Sequence, residues 1–143
     1  LEAGGSAIEA AVEACVLLED DPVFNAGTGS VMRIDGSVLT DASLQTADGR
    51  LGFVIAMEDT PNLIRICVEL LDEEIDGLAG PGARKWADAR GNLKANVIGR
   101  SPKDEIGDVG DVGPKPAEIT GDTVGVIARD SQGNIAAATG AGG

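Results

Sequence analysis

The chain has 143 residues, with 24 acidic against 11 basic side chains and a net charge of −13. That charge argues against nucleic acids and anionic membrane surfaces as partners, because both are polyanionic. Histidine is absent, which excludes Ser-His-Asp and Cys-His catalysis and most zinc sites, and leaves a carboxylate, a lysine or an amine as general base.

In chain order, residues 5–19 are expected as a first helix. Ser6 and Glu9 form an S-x-x-E capping box, and Ile8, Ala11, Val12, Cys15, Val16 and Leu18 lay an apolar stripe along one side. Asp20, Asp21 and Pro22 end it. The loop "VFNAGTGS" follows, with two glycines and an asparagine that admit backbone angles closed to other residues. "SVMRI" and "SVLTDAS" read as two short strands joined by Asp35-Gly36, a hairpin pair. Asp48-Gly49 marks another turn, and "RLGFVIAM" after it reads as a well-buried strand.

Thr60-Pro61 is expected to open a second helix, with a cap and then proline at the first helical position. Leu63, Ile64, Cys67, Leu70 and Leu71 carry its helical spacing. "DGLAGPG" breaks it, and a short helix over 83–89 carries Trp86. Residues 91–122, rich in Gly, Pro and Asp, read as a flexible solvated linker. Their Gly-Asp repeats lack the ligand count of an EF-hand or a nonapeptide roll, so a calcium module finds little support. A strand over 123–129, a turn over 130–133 and a strand over 134–138 close the chain. Runs of strands and runs of helices with antiparallel links indicate α+β layers rather than a βαβ nucleotide fold, and neither GxGxxG nor GxxxxGK[ST] occurs.

Three compositional features bear on environment. Only four of the basic residues are lysine, and aromatics are limited to Phe24, Phe53 and Trp86. An acidic, lysine-poor chain with few large apolar groups suits high salt, where screening relieves self-repulsion. Cys15 and Cys67 fall on apolar helical faces and read as buried small hydrophobes of a reducing cytoplasm. No apolar run reaches membrane-spanning length and no secretory leader is visible, so the expected location is cytoplasmic. The chain starts at Leu1 and stops at Gly143 just after a strand, and is expected to be truncated at both ends.

Asp122-Thr123 lies where the linker meets a strand. On residue types alone Thr123 is either a strand-favouring residue of a surface hairpin or a concealed nucleophile. Cleavage just before a threonine frees an α-amine, of pKa roughly 8, that can take the proton of that residue's own hydroxyl. This chemistry needs no histidine. It needs a threonine at a strand start and a yielding segment before it, so that the side-chain oxygen can attack the preceding carbonyl and form an ester that water opens.

"GDTVGVIARDSQGNIAAATGAGG" resembles the start of the β subunit in the plant-type (type 2) L-asparaginase and isoaspartyl peptidase family. These are N-terminal-nucleophile (Ntn) hydrolases related to glycosylasparaginase, with a pattern there of roughly TVG-x-V-A-x-D-x-x-GN-x-AAATSTGG. "GGSAIEAAVEACVLLEDDPVFNAGTGSVMRIDGSVLTDAS" is similar to the same family's GGSALDAVEAAV…LEDDPLFNAG-x-G…LDAS. The resemblance implies a single αββα sandwich domain over 1–143, cut between Asp122 and Thr123 into an α part, 1–122, and a β part that starts with 123–143. It implies Thr123 as nucleophile, acting on the side-chain amide of L-asparagine or the isopeptide carbonyl of a β-aspartyl dipeptide to release aspartate, with Asn25 positioning it. "LLEDDPVFNAGTG" resembles the family's sodium loop, in which backbone carbonyls here belonging to Leu18, Glu19, Asp21, Phe24, Ala26 and Thr28 would hold a structural Na+. No other cofactor is implied. The expected partner is a small-molecule substrate, and the expected full-length assembly a homodimer of αβ units.

Two departures qualify the expectation. The second threonine of the family's TSTGG falls on Ala141, which removes a hydroxyl beside the nucleophile and predicts slow self-processing and weak activity. The family's substrate-binding residues and oxyanion hole would follow Gly143, and its N-terminal HGGAG strand would precede Leu1. An inactive or poorly active family fragment is therefore a competing reading. Asp122 before the threonine resembles the glycosylasparaginase branch, whereas Gly142-Gly143 favour the asparaginase side.

Overall fold

A computed structural model describes residues 4–92, 94–101 and 123–143. The capping box forms as its sequence requires. The Ser6 hydroxyl accepts the Glu9 N–H at 3.2 Å, and the Glu9 carboxylate accepts the Ser6 N–H at 2.8 Å. Two donors orphaned by the helix start are thereby satisfied. The helix they open, α1, spans Ala7–Asp20 and buries Ala7, Ala11, Val12, Cys15 and Val16.

The next regular elements are two strands, β1 (Leu39–Thr46) and β2 (Leu51–Glu58). They are joined at Asp48-Gly49, where Gly49 takes φ +94° and the Thr46 N–H bonds the Arg50 carbonyl at 3.0 Å. The expected hairpin at Asp35-Gly36 does not become a ladder. Gly36 does turn, at φ +82°, and Arg33 N–H reaches Ser37 O at 2.9 Å. Residues 30–32, however, are already engaged by the chain near residue 100. Arg100 N–H donates to Ser30 O at 2.9 Å, Met32 N–H donates to Arg100 O at 3.0 Å, and Val31 makes only an isolated parallel bridge.

Helix α2 is Ile64–Leu70, with no side-chain cap. Thr60 is not its N-cap, contrary to the sequence reading. Its hydroxyl donates to Glu58 O at 2.8 Å and accepts from the buried Arg84 guanidinium at 2.6 Å. The "DGLAGPG" stretch does more than break a helix. Gly77–Ala79 form a short strand, β3, and α3 starts directly after it at Gly80–Ala89 with Pro81 in its first turn, where a missing N–H costs nothing. Residues 94–101, expected at the head of a solvated linker, instead pack. Val97 is buried, and the Ala95 N–H bonds Asp59 O at 3.0 Å. The rest of the expected linker, 102–122, lies outside the described residues.

Strands β4 (Thr123–Arg129) and β5 (Ile135–Gly142) complete one five-stranded sheet in the order β3-β2-β1-β5-β4. Only the β2–β3 pair is parallel. The period-2 alternation turns Ala42, Leu44, Val54, Val124, Ala128, Ala136 and Ala138 toward α1 and α2, forming one core with the helices. Small side chains on α1 and β5 let these layers approach closely, which serves in place of aromatic bulk. Cys15 and Cys67 are free and buried in this core, as expected, and burial raises both thiol pKa values. The architecture is α+β.

Candidate functional site

The opposite face of the sheet is uncovered among the described residues. It presents Thr123, Gly125 and Ile127 from β4; Thr139 and Ala141 from β5; Asp41 and Ser43 from β1; and Phe53 and Ile55 from β2. Register brings these into rows. Asp41, Ala141 and Thr123 are successive cross-strand partners, and Phe53, Ser43, Thr139 and Gly125 form the next row. A cleft of ≈ 310 Å³ runs over both, lined by Asp41, Ser43, Phe53, Ile55, Thr123 and Thr139 with their neighbours.

Thr123 is the first residue of the edge strand β4 and is exposed. Asp122, the other half of the expected cleavage bond, lies outside the described residues. The ladder partner of Thr123 is Ala141, so a methyl group faces it where the family pattern has a hydroxyl. Beside this gap the ladder carries a bulge. Ile55 and Ala56 on β2 lie opposite Asp41 alone, Ala56 takes φ +54°, and the Asp41 carboxylate accepts the Ala56 N–H at 2.6 Å. Bulges bend a strand and re-aim its side chains, and this one turns β2 at the cleft's end. One row along, Ser43 Oγ and Thr139 Oγ1 are hydrogen-bonded at 2.6 Å.

Asn25 and the loop that contains it lie on the helical side of the sheet. Asn25 is buried, and its Oδ1 accepts the Val31 N–H at 2.9 Å. It is not among the residues lining the Thr123 cleft. The loop folds back on the end of α1 through Thr28 N–H to Glu19 O at 2.8 Å, and Phe24 N–H donates to Asp21 O at 3.2 Å. Gly27 and Gly29, at φ +50° and +93°, are required here. A Cβ on Gly27 would stand 2.5 Å from Glu19 O, and one on Gly29 2.5 Å from Pro22 O and 2.7 Å from Phe24 O. Carbonyl oxygens thus crowd the inside of the turn, a donor set suited to a hard cation. Glu19 and Asp21 each already accept one N–H, which leaves each a second lone pair.

This loop touches the back of the Thr123 strand pair. The Ser30 side chain fills the place a Cβ on Gly142 would take, and Glu19 Oε1 lies 3.1 Å from that of Gly140. The Glu19 side chain, considered in the sequence only for its carbonyl, is a buried carboxyl whose pKa burial pushes up to about 7. Its Oε2 has no hydrogen-bond partner among the described residues. The contact of Ser43 with Thr139, the Asp41 bulge and the Glu19 carboxyl were not anticipated from the sequence. Alternation along "LTDAS" puts Asp41 and Ser43 on one face, but not the strand order that sets them beside Thr139.

A second cleft, of ≈ 260 Å³, lies at the α1 N-terminus between Ser6, Asp48, Arg50 and Asp130. Its polar groups are occupied. Arg50 pairs with Asp48 at 3.1 Å, and Asp130 accepts from Gln132, Asn134 and Ala7.

The asparaginase family model (Asparaginase_2) matches residues 1–143. The chain is 34% identical to the isoaspartyl peptidase/L-asparaginase of Mus musculus, over all of this chain and 46% of the mouse protein. It is 36% identical to the protein of that name from Synechocystis sp., over all of this chain and 47% of the relative. It is 38% identical to the plant-type L-asparaginase of Pyrococcus horikoshii, over 66% of this chain and 32% of the relative. The chain spans just under half the length of the mouse and Synechocystis relatives. By sequence over its whole length, and with an α+β fold that agrees, the chain belongs to the asparaginase family.

Proposed function

We propose that the chain is the self-cleaving portion of an amidohydrolase that acts on L-asparagine or β-aspartyl dipeptides, with Thr123 as nucleophile. The observation that carries this reading is the place of Thr123, exposed at the first position of an edge strand and opening onto a cleft. In processing, Thr123 Oγ1 attacks the Asp122 carbonyl carbon and the Thr123 nitrogen leaves it, taking up the hydroxyl proton. Water then hydrolyses the ester, giving an Asp122 carboxylate and a Thr123 with a free amine. In turnover that amine takes the hydroxyl proton as Oγ1 attacks the substrate's side-chain carbonyl. Ammonia or an amine departs with the proton, and water releases aspartate.

The carbonyls of Leu18, Glu19, Asp21, Phe24, Ala26 and Thr28 would hold Na+, whose part is electrostatic, bracing the loop behind Gly140 and Gly142. The open sheet face, with Ile55 and Ile127 exposed on it, is where the second sheet of an αββα sandwich would seat. Among the described residues no helix is long and apolar enough to cross a membrane.

Intact-mass spectrometry tests the central step. Incubated protein is expected to split between Asp122 and Thr123 while Thr123→Ala stays whole. A wild-type chain that never splits would favour the inactive relative, the reading that Ala141 opposite Thr123 supports. Ammonia release from asparagine, set beside β-Asp-Leu and glycosylasparagine, then assigns the substrate class.

A further inference from the structure

Resting on Thr123 as the nucleophile, we infer that the Ser43–Thr139 hydroxyl pair is a positioning element that stands in for the hydroxyl missing at Ala141. The pair sits one row from Thr123 on the same face, and both threonines line the same cleft. The residue between them in register is Gly125, directly across from Thr139 and two positions from Thr123 on the same side of β4. A Cβ there would meet nothing within 4 Å, so the space above Gly125 is open. A diagonal cross-strand pair is separated by about 7–8 Å between Cα atoms, too far for two short hydroxyl side chains to touch. A single water seated over Gly125 spans that gap and costs little to order.

Ser43 gives Thr139 its orientation. With the two oxygens 2.6 Å apart, one hydroxyl donates to the other. Thr139 is thereby held in one rotamer with its remaining hydrogen-bonding capacity turned toward the cleft. A β-branched side chain has few χ1 choices, so a bridge from Thr139 is enough to fix Thr123 Oγ1 in one of them. No proton transfer is assigned to the pair. Its role is to raise the fraction of time that Oγ1 spends in the attacking geometry.

The time course of Asp122–Thr123 splitting by intact mass, in the 143-residue chain, tests this with a set of variants. Thr139→Val, which keeps the shape and loses the hydroxyl, and Ser43→Ala are each expected to slow splitting about five- to tenfold, the scale of one neutral hydrogen bond. Thr139→Ser should retain most of the rate that Thr139→Val loses. Gly125→Val, which fills the water's place, should slow splitting like Thr139→Val. Ala141→Thr should speed Thr139→Val by a larger factor than it speeds the wild type, since the hydroxyl it returns opposite the nucleophile then replaces a bridge that is gone. Damage to the fold would not be repaired that way, and matched thermal melts check it separately. Thr139→Val splitting as fast as wild type overturns the inference and leaves Thr123 untouched. A slow Thr139→Val that Ala141→Thr speeds no more than it speeds the wild type also overturns it. Failure of the wild type to split overturns the inference together with the reading beneath it.

Discussion

Ala141 and Thr123 are ladder partners, and what that pair lacks is one hydroxyl. Replacing Ala141 with Thr should speed Asp122–Thr123 splitting about tenfold, the worth of a hydrogen bond made to the reacting group. An unchanged rate by intact mass would show that the position does not orient the nucleophile in this chain. Glu19, on the other side of the same strands, offers a second single-residue prediction. Burial raises its carboxyl from 4.5 to about 7. The Ile64 N–H opposes that rise, Asp20 adds to it, and Asn62 and Arg65 lower it. Between these two values the folded state holds a proton that the unfolded state has lost. Stability from this group is therefore fullest below about 4.5, falls as pH climbs to about 7 and is level beyond, a span of about 3 kcal/mol at most. Glu19→Gln keeps the shape without the charge and should flatten that slope. Urea unfolding of both proteins at pH 5 and pH 8, in choline chloride so that no sodium enters the neighbouring loop, checks it. Equal losses in the two proteins would remove Glu19 as the source.

At the scale of elements, β3 joins β2 at a point where only glycine fits. A Cβ on Gly77 would lie 2.1 Å from the Phe53 ring, so Gly77→Ala must displace either the ring or the strand. Overpacking of this kind costs about 1–3 kcal/mol. Adding Phe53→Leu should recover part of it, which denaturant unfolding of the single and double variants will show. No recovery would mean that the glycine is needed for its backbone instead. Strand β3 and this contact were not legible in "DGLAGPG", because glycine and proline signal a break without revealing that a neighbour's ring requires one of them. Elements whose cause is local were legible. The capping box at Ser6 and Glu9, the Asp48-Gly49 turn and the strand from Thr123 all hold within a few residues of their signals. The Asp35-Gly36 hairpin failed because the segment before it bonds residues 98–100, and Thr60 failed as a cap because Arg84 claims its hydroxyl. The site divides the same way. Thr123 is proposed from its own neighbours together with the family resemblance, whereas Ser43 and Thr139 lie 96 residues apart and meet only through the strand order.

For the whole molecule the governing quantity is the charge of −13. Its effect on stability depends on the distances over which like and unlike charges act. The attractive pairs are short. Arg65–Glu13 is at 3.0 Å, Arg84–Asp88 at 2.9 Å and Arg90–Glu73 at 2.6 Å. Repulsion among the surplus carboxylates is summed over longer separations. Screening falls from about 10 Å at 0.1 M salt to about 3 Å at 1 M, so added salt removes most of the repulsion while leaving contact pairs largely in place. The melting temperature should therefore rise from 0.1 M to 1 M KCl, by about 3 °C if screening recovers 1 kcal/mol. A flat or falling curve would sink the idea of a salt-adapted surface. Repeating the series in NaCl separates two causes, since both salts screen alike at equal ionic strength. Any additional rise in NaCl is binding linkage to the folded state. The carbonyl-lined turn between Glu19 and Gly29 is the place to look for it, and Gly29→Ala, which puts a Cβ against the Pro22 and Phe24 carbonyls, should abolish the sodium increment while the response to KCl persists.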